Sequence, residues 1–399
     1  MISANACTWE LDNPVAAAKE LAAQISKQIP VLQKNSIGLI FGDAETDFNA
    51  ISAELNQHFS FEILGGSSMG MLGVGEGYDE FCVTLLVLSA DDCTFHVECS
   101  SPINKDNANT VISDACNKGL AAAGEKPKLV IAIAPRIGDV FIDIYPELIG
   151  ELSGGVPVFG GVPSSTADNR EFVFAKGNTH RDCAAFLFIC GNLRPRFCTC
   201  NLFDNLVEQK RTITKAKDNI VYRVGNQTFV EYAQSLGLHF DFEDPDIRSF
   251  AFVTHPILVE ENRAGTDGIP FVRTIGSVNM EEGYAVALGK IPEGALMSIG
   301  VLRKEEIVRS AEIGLESMQK LADTTDGYHY STMFCISCIG RSMVMAPSID
   351  LEGRLIQSSF GDKFCISGFY AWGEMCPTSY DDETANNRGH HETLSICAF

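Results

Sequence analysis

The chain has 399 residues, 45% hydrophobic and 21% charged, with 35 Gly and 15 Pro, a composition that excludes a disordered tail and a small stapled scaffold and predicts two or three folded domains. Its 30 Lys and Arg stand against 52 Asp and Glu, a formal charge of −22 without any basic block, so neither nucleic acid nor a membrane surface is an expected partner. The start of the chain lacks the basic and apolar regions of a signal peptide and no run approaches the ~20 apolar residues of a membrane helix, so a cytoplasmic location is expected, with most of the 14 Cys serving as small buried hydrophobes.

Residues 1–34 read as a helical lead-in, and 35–205 as a first domain. The apolar run Ile37-Gly38-Leu39-Ile40 predicts a strand, and Phe48, Ile51 and Leu55, spaced i, i+3, i+7, predict an amphipathic helix after it. Phe61 to Leu64 is a second strand running into Gly65-Gly66-Ser67-Ser68, and Phe81 to Leu88 is a third. The order returns about 90 residues later. Leu129 to Ala134 is the strand, Val140 to Leu152 the helix and Val156 to Phe159 the next strand, with Gly160-Gly161 and Ser164-Ser165 repeating the Gly/Ser turn. Phe172 to Ala175 and Cys183 to Cys190 then read as a returning hairpin, which makes the first domain a tandem βαββ-like repeat.

A polar stretch at 206–220 predicts a linker, followed by a second domain at 221–399. There Thr228 to Leu238 reads as a helix, and Phe250 to Val253, Phe271 to Ile275, Tyr284 to Leu288 and Ala295 to Leu302 as strands. Ile307, Ala311, Leu315 and Met318 form one stripe of a helix over Lys304 to Leu321. Strand-like Thr332 to Ile339, a helix at Ile349 to Ser358, strand-like Phe364 to Trp372 and a closing strand follow. The fold class expected is α/β to α+β, two domains of mixed sheets flanked by helices.

Gly66-Ser67-Ser68-Met69-Gly70 fits the G-x-S-x-G nucleophile pattern, but the Gly-interrupted residues that follow oppose the helix such an elbow needs. The same residues suit a nest of N–H groups for a ligand anion, or a tight strand exit. Cys335-Ile336-Ser337-Cys338 is a C-x-x-C, yet a strand would send its two thiols to opposite faces, and no second ligand pair completes a zinc set unless Cys376 and His390-His391 approach it. No metal site is therefore expected. Arg341, after a strand end, suits a carboxylate, either Glu374 in a structural ion pair or a ligand.

Ser337-Cys338-Ile339-Gly340-Arg341, then Gly368-Phe369-Tyr370 with Gly373-Glu374, then His390-His391-Glu392-Thr393 resemble, in order, the S-C-x-G-R, G-F-Y-x-x-G-E and H-N-x-T elements of the FIST family, with its N- and C-terminal domain pair. His391 and Glu392 depart from the family's usual Asn and common Gln. The resemblance implies a prokaryotic cytoplasmic sensory module of signal transduction that binds a small molecule, such as an amino acid or other small carboxylate, and implies no reaction. We expect the ligand at a cleft between the domains, met by Gly65, Gly66, Ser67, Ser68, Gly160, Gly161, Arg341, Tyr370 and Glu374, with the signal passed to a separate protein or through a homodimer. No catalytic residue and no cofactor are expected. The alternatives are a haem-binding nitric-oxide sensor regulating a histidine kinase or cyclic-dinucleotide enzyme, with His58, His96, His239 or His255 as axial ligand, and a hydrolase-like enzyme using Ser68.

Overall fold

The computed structural model describes the chain apart from residues 139–140, 166–169, 202–209, 262–267 and 324–326. Its first repeat runs β1 (Ile2–Thr8), α1 (Pro14–Gln28), β2 (Asn35–Gly42), α2 (Phe48–Leu55), β3 (Glu62–Ser67), a hairpin of β4 (Met71–Leu72) and β5 (Tyr78–Asp79), and β6 (Val83–Ala90). The second runs β7 (Cys93–Cys99), α3 (Ala108–Ala123), β8 (Leu129–Ile133), α4 (Phe141–Leu152), β9 (Val158–Gly161), a hairpin of β10 (Val173–Ala175) and β11 (Asn178–His180), and β12 (Ala185–Gly191). Local chemistry starts the first helices. Pro14 sits at the head of α1 and the Asn13 side chain accepts the Ala16 N–H, while Asp47 caps α2 through Ala50.

The expected tandem repeat is present, and a third copy, split by an insertion, begins at the end of the first domain and continues through the second. The copy opens with β13 (Arg196–Cys200). The insertion comprises β14 (Arg211–Lys217), β15 (Ile220–Val224), β16 (Gln227–Thr228), α5 (Phe229–Ser235), α6 (Pro245–Thr254), β17 (Ile257–Glu260), β18 (Phe271–Arg273), β19 (Ile275–Asn279), β20 (Tyr284–Ala287) and β21 (Leu296–Ile299). The copy then resumes through α7 (Lys304–Asp323), β22 (Thr332–Cys338), α8 (Ile339–Met345), α9 (Leu351–Phe360), β23 (Cys365–Ala371), a hairpin of β24 (Glu374–Tyr380) and β25 (Ala385–His390), and β26 (Leu394–Ala398).

Each copy builds one mixed sheet around a parallel pair: β2 with β3, β8 with β9, β22 with β23. The sheet orders are β1-β6-β2-β3-β10-β11, β7-β12-β8-β9-β24-β25 and β13-β26-β22-β23-β4-β5. The hairpin of every copy thus leaves its own sheet and completes another: the first copy's joins the third, the second's joins the first and the third's joins the second. The result is a cyclic exchange in which the two domains share sheets. The inner faces meet in one core, where Phe41 stacks on Phe369 at 4.3 Å and Phe334 contacts Phe41 and Phe159, each at 5.8 Å. With that core inside and helices outside, strands such as β6 and β22 are buried on both faces and read as predominantly apolar runs.

Four local expectations change. The lead-in contains β1, paired with β6, as well as its helix. The described part of the expected linker includes β14. Phe250 to Val253 belongs to α6, because Asp244 caps a helix that Pro245 begins and the apolar run forms its later turns. Phe172 to Ala175 and Cys183 to Cys190 do not form one hairpin: β10 turns back through β11 on β3, whereas β12 pairs with β7 and β8.

Candidate functional site

The Gly/Ser segments expected to be loops are buried and lie largely within strands. Gly65, Gly160 and Gly368 occupy equivalent positions in β3, β9 and β23, opposite Ile40, Ala132 and Cys335. A Cβ there would lie 1.7, 1.9 and 1.9 Å from the facing carbonyl oxygens, so the parallel strands approach where only glycine fits. Gly66 is also closed, though less tightly, with Phe172 O 2.8 Å from a Cβ position, and a Cβ at Gly161 would meet Ala371 at 3.0 Å. Ser67 Oγ accepts the Phe172 N–H at 3.0 Å. Ser68 Oγ accepts the Gly70 and Tyr370 N–H groups at 3.2 and 3.1 Å and lies 2.7 Å from Gly70 O. Ser68 is fully buried, and the chain beyond it enters β4 instead of the helix of a nucleophile elbow.

Arg341, on α8, has a protein carboxylate, and it is Glu352 instead of the expected Glu374. Its Nε and Nη2 donate to Glu352 Oε1 at 2.9 and 2.5 Å; Nη1 reaches Cys200 O at 3.3 Å and Glu392 O at 3.4 Å, and Nη2 reaches Ile307 O at 3.2 Å. Ser310 Oγ lies 3.3 Å from Nη1. Ser337 Oγ and the Tyr370 hydroxyl donate to the other Glu352 oxygen at 2.5 and 3.3 Å. Burial opposes the Arg341 charge, but Glu352 outweighs it and holds the guanidinium above its usual value. The family motif residues Ser337, Arg341 and Tyr370 thus converge on a buried glutamate that no motif includes.

Glu374 is fully buried nearby, and neither of its oxygens has a hydrogen bond of normal geometry. Burial and then the charge of Glu392 push its carboxyl well above the usual range, against smaller opposing effects of the Cys338 thiol, Arg341 and the Thr393 backbone. Glu392, at φ +52°, accepts the Thr274 hydroxyl at 2.7 Å and is pushed up to about 7, first by burial. Between an unfolded value near 4.5 and about 7, native Glu392 keeps a proton that the unfolded chain has lost. Its contribution to stability is therefore full below about pH 4.5, falls as pH rises and is lost above about 7, a swing of ~3 kcal/mol. Urea midpoints should fall between pH 5 and pH 8, and Glu392→Gln should fall less; equal falls would remove Glu392 as the cause.

A second feature lies at the carboxyl ends of β8 and β9, a place where parallel sheets tend to bind ligands. A cavity of about 210 Å³ opens there between Pro135, Pro163 and Phe172, with Arg136, Arg181, Glu171 and Asp182 bringing both signs of charge and Trp372 its ring. The Arg136 guanidinium stands 5.2 Å above the Trp372 ring, and no carboxylate pairs with it among the described residues. Trp372 Nε1 donates to Glu171 at 3.0 Å. The indole is locked to the other domain by its backbone: Trp372 N donates to Val162 O, and Val162 N to Gly373 O, both at 3.0 Å. Sequence reading passed over Arg136 and Trp372, although Arg136 follows the predicted end of a strand and Trp372 directly follows the Tyr370-Ala371 motif segment. What joins them is strand exchange between domains, which spacing does not reveal.

The histidines weighed for haem are dispersed. His58 and His239 are exposed, His96 lies in β7, and His255 ends α6 with Nδ1 3.1 Å from Ala251 O. In the C-x-x-C segment Cys335 packs in the core with Leu72 and Ile366, and Cys338 feels Glu374 and Glu392. Among the described residues no helix is long and apolar enough to cross a membrane.

The FIST N domain matches residues 36–227 and the FIST C domain residues 229–377. No protein of curated function matches the chain. Among solved structures, a cyanuric acid hydrolase from A. caulinodans aligns over 99% of this chain and 98% of its own at 8% identity and a TM-score of 0.36. A second cyanuric acid hydrolase aligns over 100% and 99% at 9% identity and a TM-score of 0.32. Likenesses at these TM-scores bear on neither ligand nor activity. On its two domain matches, the chain belongs to the FIST family, whose domains are associated with signal transduction and small-ligand sensing.

Proposed function

We propose that this protein is a cytoplasmic sensor of a small zwitterionic or anionic carboxylate, with an amino acid as the best fit, bound in the cavity beside Trp372. The observation that carries the reading is Arg136, a guanidinium held over an aromatic ring without a carboxylate partner among the described residues, in a cavity that also presents Glu171 and Asp182. Arg136 suits the ligand carboxylate, Glu171 and Asp182 its ammonium, and the Trp372 face its stem. At about 210 Å³ the cavity is below the roughly 300–1,000 Å³ of sites for drug-sized ligands, which favours a molecule of amino-acid size. Arg341 and the Ser67 and Ser68 hydroxyls, engaged within the protein, serve in this reading as framework beneath the site.

A ligand bridging Arg136 and Trp372 touches both domains at once. If it binds one arrangement of that seam better than another, its binding shifts the population seen by a separate partner protein. The test is a thermal-shift screen of amino acids and small dicarboxylates. A true ligand should stabilise by ~2.7 kcal/mol at 100 times its Kd. Arg136→Ala should weaken binding by roughly 10- to 150-fold, the equivalent of a charged hydrogen bond worth about 1.5–3 kcal/mol, while leaving the ligand-free Tm within about a degree. A screen without hits, or a Soret band at one haem per chain that is indifferent to Arg136→Ala, would overturn the reading.

A further inference from the structure

Cys99 ends β7, His180 ends β11 and Cys183 leads into β12, so the cyclic exchange brings an edge strand of the second sheet against the terminal hairpin of the first. One ligand atom from each of the three lies within 4.8 Å of the others, and among the described residues this is the one such group of metal-binding side chains. Cys183 is buried, whereas Cys99 and His180 are partly exposed, which leaves an approach from solvent. The His180 ring is already oriented: its Nε2 lies 3.3 Å from the Ala175 carbonyl oxygen. A histidine that donates Nε2–H to a carbonyl presents Nδ1 as its lone pair, the arrangement that holds and tunes metal-bound imidazoles.

We propose that Cys99, His180 and Cys183 form a zinc site, with a solvent-derived ligand in the fourth position. Two sulfurs and an imidazole are the soft and borderline donors that select zinc over magnesium or calcium. Zn–S bonds of about 2.3 Å and a Zn–N bond of about 2.0 Å place tetrahedral ligand atoms roughly 3.5–3.8 Å apart, so the group has to contract by about 1.3 Å at most. In the metal-free protein the Cys99 thiol donates to Ser100 O at 3.7 Å. On binding, two S–H bonds break, two Zn–S bonds form, and two protons pass to solvent.

The ion would tie the first sheet to the second at a place where no backbone ladder joins β11 to β7. It would also fix the segment between His180 and Cys183, which carries Arg181 and Asp182 of the cavity. That coupling rests on the proposed ligand site, whereas the zinc site stands without it.

The test uses the full chain, purified under reductant, stripped with a chelator and titrated with Zn²⁺ alone against a chromophoric competitor. One zinc per chain is expected, Co²⁺ should give the absorption of a tetrahedral thiolate complex, and Zn²⁺ should raise Tm without any small-molecule ligand. Cys99→Ser and Cys183→Ser should each lower affinity by at least about 100-fold, more than loss of an outer partner of a metal ligand costs. Cys116→Ser, in α3, should leave it unchanged. If a serine variant fails to fold, Cys183→Ala with an intact apo Tm takes its place. Substoichiometric zinc, an octahedral Co²⁺ spectrum, affinity equal in all variants, or Cys99 and Cys183 recovered as a disulfide under reductant would overturn the site. A zinc site with the expected variant pattern and no effect on amino-acid binding would leave it standing and overturn only the coupling.

Discussion

Arg341→Met should destabilise the protein by about 3–5 kcal/mol, because it leaves Glu352 buried at the centre of the third copy without its cation. Much of that cost arises from stranding a charge, so Arg341→Met combined with Glu352→Leu should recover most of it. Arg341→Lys should fail to rescue: an ammonium cannot donate through a planar fork to Glu352 and also reach the Cys200, Ile307 and Glu392 carbonyls. Urea denaturation of the wild type, the Arg341→Met and Glu352→Leu single variants and the double variant measures the cycle, with Arg341→Lys run beside them. An Arg341→Met protein of wild-type stability that no longer responds to amino acids would instead make Arg341 a ligand group and return the site to the motif residues.

The second large effect concerns the three equivalent glycines. Ala at Gly65, Gly160 or Gly368 forces a methyl group to within 2 Å of the facing carbonyl, and the parallel strands must part at the heart of the shared core. A loss of about 3 kcal/mol or more is expected at each position, at or beyond the upper end of ordinary overpacking. Gly75→Ala provides the contrast. Its φ of +55° is strained for alanine, but nothing lies within 4 Å of the added carbon, so about 1 kcal/mol should be lost. Similar midpoints for Gly75→Ala and Gly65→Ala would show that the strand pair gives way more easily than this geometry allows.

The glycine-interrupted residues that follow Gly70 have a related explanation. Gly73 and Gly77 carry positive φ values of 78° and 126° and lie against the carbonyls of Ile366 and Gly353, because they shape the hairpin that crosses into the third copy's sheet. Read along the chain these glycines showed only that no helix follows Ser68; what they shape depends on β23 and α9 of the third copy.

Sequence alone determined most of the local elements and the first two copies of the repeat. Phe48, Ile51 and Leu55 mark α2, Ile307, Ala311, Leu315 and Met318 mark α7, and the strands buried on both faces appear as predominantly apolar runs. These signals are local because backbone periodicity and side-chain burial are set within a few turns or residues. The third copy escaped notice because an insertion separates β13 from α7 and β22, which breaks the period that revealed the other two. Tertiary structure alone decided the pairing of Arg341 with Glu352, the depth at which Glu374 and Glu392 lie, the cavity between Arg136 and Trp372, and the meeting of Cys99 with His180 and Cys183. Arg341 and Glu352 meet by packing of α8 against α9 inside the third copy, whereas the cavity and the approach of His180 to Cys99 come from the exchange of hairpins among three sheets; a contact made by exchange is fixed by how the copies close on one another, for which no spacing in the chain carries a record.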